Sequence, residues 1–325
     1  MYLTVIIPTF NNCKDLIKCI ESIPISSDIE IIVVDDCSSD DTFEIISKYN
    51  SKKIIYKRFN KNNGVSYSRN YGVEIATGKY ITFIDSDDRL ILKNFNELLE
   101  CIKKIKEFDL LIANFATNRF QKVETYDILN ESCKNLDSRL LIKKYLSNIV
   151  NNSIMSYCWG KIYNKEFLHS NNIRFDITLR RYEDIKFLSN VLTKNPKIFS
   201  FNKKIYIYKI YSNNEKRYES SSLEVLLDVI ENYSKYIDNS FLKIAAVKNI
   251  LIIETANCLR KLQISSHYLK LLYSKKNIFK SINSNDIKNS ELKNLFYFKL
   301  NKNINLFVLI IKIIIMVKKL KLKLI

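Results

Sequence analysis

Glycine and proline are scarce, at 4 and 3 of 325 residues. Long flexible linkers are therefore not expected. Histidine is nearly absent: His169 and His267 stand alone, and neither is assigned a role. The 7 cysteines are odd in number and contain no CxxC pair. Zinc-ribbon and dithiol redox sites are therefore unsupported, and reduced, buried thiols of a cytosolic protein are expected. No apolar run reaches the ~20 residues of a comfortable membrane span. The longest, Leu306–Val317, is interrupted by Lys312. The chain opens on an apolar strand pattern with no charged n-region before it, so no secretory signal is expected.

Acids are lacking at one end. Between Lys270 and Ile325 there are 13 lysines against Asp286 and Glu291, which places most of the +18 net charge in the last sixth of the chain. Such asymmetry calls for an anionic partner, nucleic acid or a membrane surface. The apolar run with Lys318, Lys319, Lys321 and Lys323 behind it reads as a basic amphipathic helix lying in a membrane interface. The alternative is a terminal helix packed on the protein. The richness in Lys, Asn and Ile is read first as a genome-level bias.

The first ~115 residues alternate strand and helix signals. Leu3–Pro8, Glu30–Val34, Lys53–Tyr56, Tyr80–Ile84 and Asp109–Ala113 read as strands. Lys14–Ser22, a helix from Asp41 to Tyr49 with Glu44 completing a capping box, Val65–Ala76 and Phe95–Glu107 lie between and after them. This order predicts an α/β fold with a mainly parallel sheet flanked by helices. Ligands of such sheets sit outside the carboxyl ends of the strands. From about Asn118 the alternation is lost. Leu136–Ile149 and Glu183–Leu192 look helical, Tyr157–Tyr163 is aromatic and irregular, and Lys204–Ile210 alternates like a strand. Leu223 to about Leu272 is helical in pattern.

Asp85-Ser86-Asp87 directly follows a strand. In extended chain, residues i and i+2 point the same way, so both carboxylates can face one ligand. Paired carboxylates suit Mg²⁺ or Mn²⁺ shared with substrate phosphates; a lone DxD is as readily a solvated acidic turn. Here it recurs in company. Asp35-Asp36 ends a second strand and Thr9-Phe10-Asn11-Asn12 leaves a first. Asn63-Gly64-Val65-Ser66 opens the helix that carries Arg69, which, with Lys61 as a looser candidate, could reach a phosphate.

The segments Val5-Ile6-Ile7-Pro8-Thr9-Phe10-Asn11, Val33-Val34-Asp35-Asp36-Cys37-Ser38-Ser39-Asp40, Asn63-Gly64-Val65-Ser66 through Arg69-Asn70-Tyr71-Gly72, and Ile84-Asp85-Ser86-Asp87-Asp88 resemble the family 2 glycosyltransferases of GT-A fold. The likeness is close over Leu3–Leu92. It continues more weakly through Cys158-Trp159-Gly160-Lys161-Ile162-Tyr163 and Arg181-Tyr182-Glu183-Asp184, and ends near Ser212. The resemblance implies that Pro8, Thr9 and Phe10 line a nucleobase and ribose pocket. It implies that Asp36, before Asp35, bonds the base, and that Asn63, Arg69, Asp85 and Ser86 lie along the donor. Asp87 would ligate Mn²⁺ or Mg²⁺. Asp184 would be the general base, with Glu183 beside it orienting acceptor or base; as a plain helix N-terminal pair these acids would be favoured by the dipole alone. Trp159 and Lys161 would fall on the acceptor side. Trp159 is equally a candidate for core packing, and Tyr206, Tyr208 and Tyr211 for sheet packing before sugar stacking.

The expected arrangement is a donor part at 1–115, an acceptor-side part of the same catalytic domain at 116–212, and a helical region at 213–325 that ends in a membrane-associating segment at about 304–325. The expected activity is inverting transfer from a UDP-sugar to a glycan or glycolipid acceptor. The expected place is the inner face of a bacterial cytoplasmic membrane. A nucleotidyltransferase, a basic nucleic-acid binder and a non-catalytic scaffold are the rival readings. No nucleic-acid motif accompanies the charge, so no nucleic acid is expected.

Overall fold

A computed structural model of the protein describes residues 1–48, 54–105, 107–119, 122–126, 129, 132, 134–147, 156–210 and 223–237, with isolated residues of helical regions beyond. The chain divides into two compact units. The first is Met1–Leu141 with Ile154–Arg217, the second Ile142–Ser153 with Tyr218–Ile325.

The first unit is a mixed α/β layer structure. In order it runs β1 (Leu3–Thr9), α1 (Cys13–Glu21), β2 (Ile29–Asp35), α2 (Thr42–Ser47), β3 (Ile54–Arg58), α3 (Val65–Ile75), β4 (Tyr80–Phe83), β5 (Arg89–Leu90) and α4 (Leu92–Lys104). It continues with β6 (Leu110–Arg119), β7 (Lys122–Tyr126), β8 (Asn135–Leu136), α5 (Ser138–Ser147), whose residues from Ile142 on belong to the second unit, β9 (Lys161–Asn164), α6 (Lys165–Ser170), α7 (Glu183–Leu192) and β10 (Ile198–Ile210). The sheet has the order β3-β2-β1-β4-β9-β6-β10-β5, with β7 on β6 and β8 on β10.

The parallel character expected from the alternation holds for β3, β2, β1 and β4. Both β1 and β2 are buried along their whole length, which is why they read as continuous β-branched runs. Beyond β4 the sheet becomes mixed. Strand β9 inserts between β4 and β6 and runs antiparallel to both. It falls in the stretch expected to be irregular, because four residues are too few to display a period. Strand β6 is longer than expected and pairs in parallel with β10. The capping box expected at Asp41 does not form. The cap comes from Asp40 instead, whose Oδ1 accepts the Thr42 N–H at 3.2 Å and its hydroxyl at 2.5 Å.

Two devices set the sheet against its helices. A Cβ on Gly72 would lie 2.4 Å from Ile6 Cγ2, so α3 lies closer to β1 than any side chain there allows. At the opposite end from the polar strand exits, buried Glu30 accepts bonds from the Thr4 hydroxyl (2.6 Å), the Thr77 N–H (2.9 Å) and the Thr77 hydroxyl (2.8 Å). That carboxylate staples β1, β2 and the α3–β4 turn together.

In the second unit, α8 (Leu223–Ile237) buries Val229, Ile230, Tyr233 and Ile237 along one stripe. Thr255 Oγ1 and Tyr268 Oη, both buried, lie 2.7 Å apart. Val308 and Ile311 are helical and buried. The rest of the expected membrane-facing segment, 304–325, and Tyr211 lie outside the described residues. Among the described residues no helix is long and apolar enough to cross a membrane.

Candidate active site

The carboxyl ends of β1, β2 and β4 lie side by side, with Thr9 in register with Asp35. Each strand delivers a polar exit. Thr9 is buried and its hydroxyl has no partner among the described residues, as is true of Ser66 in the first turn of α3. Pro8 is buried, and Phe10 stands out at 49% exposure. Asp35 is fully buried, accepting from the Ser38 N–H (2.8 Å) and the Tyr56 hydroxyl, with Arg58 beyond. It is a scaffold residue. Asp36 accepts the N–H of Asn63 on one oxygen and that of Gly64 on the other, each at 2.7 Å. It thereby folds the loop that leads into α3.

Arg69, on α3, is the hub. It is 3% exposed and meets three carboxylates. Nη2 donates to Asp85 Oδ1 at 2.7 Å; Nη1 donates to Asp184 Oδ1 at 2.8 Å and to Glu183 Oε1 at 3.4 Å. The guanidinium lies 5.2 Å from the centre of the Phe175 ring. Sequence reasoning aimed this arginine at a phosphate. In the fold, both of its Nη atoms donate to the acids. Phe175 is itself pinned, exchanging two backbone bonds with the Asn70 side chain at 2.8 Å each. Glu183 and Asp184 thus reach the acidic strand end through one cation, at the N-terminus of α7, whose flanking Tyr182 takes φ 60°.

The acidic run after β4 divides its labour. Asp88 is buried and accepts from the Tyr206 hydroxyl (2.6 Å) and the Lys209 N–H (2.7 Å). Tyr206 also accepts the Asp85 N–H at 3.1 Å, so β10 fixes the turn. Ser86 accepts from the Asn12 side-chain amide at 3.0 Å. Asp87 is partly exposed and, among the described residues, makes no hydrogen bond or ion pair. Burial raises the Asp85 carboxyl, as do Asp184 and Asp87, against the pull of Arg69. Burial and then Asp184 raise Glu183, with Arg69 opposing. Burial and the neighbouring Asp85 and Asp87 drive Asp88 well upward. The centre is acid-rich beyond what one arginine neutralises.

Trp159 and Lys161, placed on the acceptor side from sequence, are interior, at 1% and 0% exposure. The Trp159 ring is stacked between Tyr157 and Tyr206, each 4.4 Å away. Tyr206 and Tyr208 likewise pack on it. Sequence reading missed Asp88, Tyr206 and Asn70 as the supports of the site. The Asp87-Asp88 doublet was the one available signal that a second, buried acid stands beside the open one.

A search of solved structures finds the Staphylococcus aureus TarS 1–349 fragment in complex with UDP-GlcNAc. Its TM-score is 0.67 and its sequence identity 20%, covering 94% of this chain and 89% of that one. Among curated proteins, the glycosyltransferase GlyA of Streptococcus pneumoniae is 31% identical over 225 residues. That match takes in 66% of this chain but only 31% of GlyA. The poly(ribitol-phosphate) beta-N-acetylglucosaminyltransferase TarP of Staphylococcus aureus is 30% identical over 251 residues, 66% of this chain and 76% of that protein. The family model for glycosyl transferase family 2 matches residues 4–168. With just over half of the chain inside that model and the strand ends arranged as described, the protein belongs to glycosyltransferase family 2, with a GT-A type of fold.

Proposed function

We propose that the protein transfers a sugar from a UDP-sugar to a hydroxyl of a surface glycan or glycolipid, with inversion at the anomeric carbon. The observation that carries this is the site at the carboxyl ends of β1, β2 and β4. There Asp87, unpaired among the described residues, stands beside a triad of acids gathered on one buried arginine. The UDP-GlcNAc complex of the TarS neighbour supports the choice of donor, and the poly(ribitol-phosphate) in TarP's name supports a polymeric acceptor.

The donor part is residues 1–115 and the acceptor-side part 116–212. Phe10 offers an exposed ring to the base, and Thr9 and Ser66 offer buried, unpartnered hydroxyls. Each Asp36 oxygen keeps a second lone pair for a base N–H. Among the described residues no three His, Cys, Asp or Glu side chains form a metal cage. The all-oxygen set of Asp87 with the free oxygen of Asp85 fits Mg²⁺ or Mn²⁺ completed by substrate phosphates. When bound, such an ion would offset charge growing on the leaving diphosphate. Asp184 takes the proton of the acceptor hydroxyl as its oxygen bonds the anomeric carbon and the sugar–phosphate bond breaks. Arg69 holds Asp184 and Asp85 in fixed relation, and Glu183 orients the acceptor.

The lysines at 318, 319, 321 and 323 support contact with anionic lipid at the inner membrane face. Burial of Val308 and Ile311 gives those two side chains to the protein rather than to lipid. The test is a panel of UDP-sugars assayed for slow hydrolysis with and without Mn²⁺ or Mg²⁺. One donor should release UDP only with metal, and Asp87→Ala should abolish that release. If UDP and the whole panel also fail to bind by calorimetry, the transferase reading is wrong.

A further inference from the structure

The Asp184 carboxylate rests on a strap of backbone, Tyr157 to Gly160, whose carbonyls are all tied down. Lys161 Nζ donates to the Tyr157 carbonyl at 2.6 Å and to the Trp159 carbonyl at 3.3 Å. The Tyr163 hydroxyl donates to the Cys158 carbonyl at 2.8 Å, and the Ala113 N–H to the Gly160 carbonyl at 3.0 Å. The strap reaches β9 through Gly160 at φ +67°, a conformation that residues with a Cβ rarely adopt. From this clamped segment the Cys158 N–H donates to Asp184 Oδ2 at 3.2 Å, while Arg69 holds Oδ1. The carboxylate is thus fixed at both oxygens, one by a side chain and one by the strap.

Lys161 is an expensive choice for this position. It is fully buried, and desolvation pulls its ammonium down to about 7, against the upward influence of Cys158 and Asp184. A residue needed only to fill space there would be apolar. What the ammonium supplies is a pair of backbone anchors on either side of Cys158.

We propose that Lys161, assisted by Tyr163, is a positioning residue for the transfer reaction: it fixes the strap so that the Cys158 N–H sets the direction of Asp184. The proposal rests on Asp184 being the general base. Displacing a catalytic group by about 1 Å costs roughly 100-fold in rate.

The test compares the full-length wild type with Lys161→Met, Tyr163→Phe and Asp184→Asn. It measures the Kd for UDP by calorimetry, and kcat and KM with the UDP-sugar that the panel identifies. Lys161→Met is expected to lower kcat by ~10–100-fold and Tyr163→Phe by less. Both should leave the UDP Kd and donor KM within about 2-fold, because the hydrogen bond that the strap gives to the site goes to Asp184. The one tryptophan of the chain, Trp159, lies on the strap, so its emission should shift in Lys161→Met. Wild-type kcat in both variants overturns the proposal, and so does an equal fall in kcat and UDP affinity, which marks a purely structural lysine. If Lys161→Met does not fold, Tyr163→Phe decides on the same criteria. An active wild type with an inactive Asp184→Asn but unaffected strap variants removes only this proposal. A wild type that neither binds UDP nor turns over any donor removes the functional reading beneath it as well.

Discussion

Arg69 holds three carboxylates with two of its nitrogens, and its Nε is buried without a partner among the described residues. Lysine cannot reproduce this, because a single ammonium has no fork to span Asp85 and Asp184 together. Removing the charge is more damaging still. Arg69→Met leaves three partly buried acids uncompensated, and the expected loss is about 3 kcal/mol of unfolding free energy, read from urea melts. Glu183 has the opposite sign. Its carboxyl is raised by burial and by Asp184, so the folded state favours the protonated form and the charged form costs stability at neutral pH. Glu183→Gln is therefore expected to raise Tm at pH 7 while impairing transfer; a lower Tm in that variant would contradict the electrostatic account. Asp184→Asn should abolish transfer yet leave UDP affinity nearly intact, since its contacts are with Arg69 and the Cys158 N–H rather than with the donor-side loops. The acidic run and Glu183-Asp184 were legible in the sequence as candidates. Their partner was not: nothing in the spacing of Arg69 says that it is buried, and burial is what turns a phosphate-seeking side chain into a counterion.

The elements read best where a period could express itself. Strands β1 and β2 and helix α3 lie within a few residues of expectation, since each is long and uniformly patterned. The failures are short or tertiary in origin. Strand β9 has four residues. Helix α6 was overlooked although Asn164 caps it, accepting the N–H of Glu166 at 2.9 Å. The motif around Gly72 was visible, but its purpose appears only in the packing against Ile6. Gly72→Ala should cost about 1–3 kcal/mol, because Ile6 is a branched, buried neighbour with little room to turn. The staple at Glu30 gives a pH signature. Burial raises that carboxyl, but the Thr4 and Thr77 hydrogen bonds together outweigh it and hold it below the ordinary value of 4.5. A depressed acid stabilises the fold above its unfolded value, and that contribution is lost as pH falls through the folded one. Glu30→Gln should accordingly flatten the acid side of the Tm–pH curve, and an unchanged acid slope would show that the staple carries no such weight.

At the scale of the molecule, the charge is the most readable property of the sequence. Replacing Lys318, Lys319, Lys321 and Lys323 by Gln spares buried Val308 and Ile311, which truncation at Leu306 would remove. Cosedimentation with anionic vesicles should then weaken by ~1 kcal/mol for each lysine that approaches the lipid surface; unchanged binding would place the attraction elsewhere. Within the first unit, the acids that meet at Arg69 come from distant stretches of chain, Asp85 16 residues away and Asp184 115 residues away. Closing a loop of that length is slow, and it must precede any contact between Arg69 and α7. The active site therefore has a history within each molecule. On refolding, the parallel core around β1 and β2 can be in place while the enzyme is still silent, so helical and sheet signals should return before turnover does.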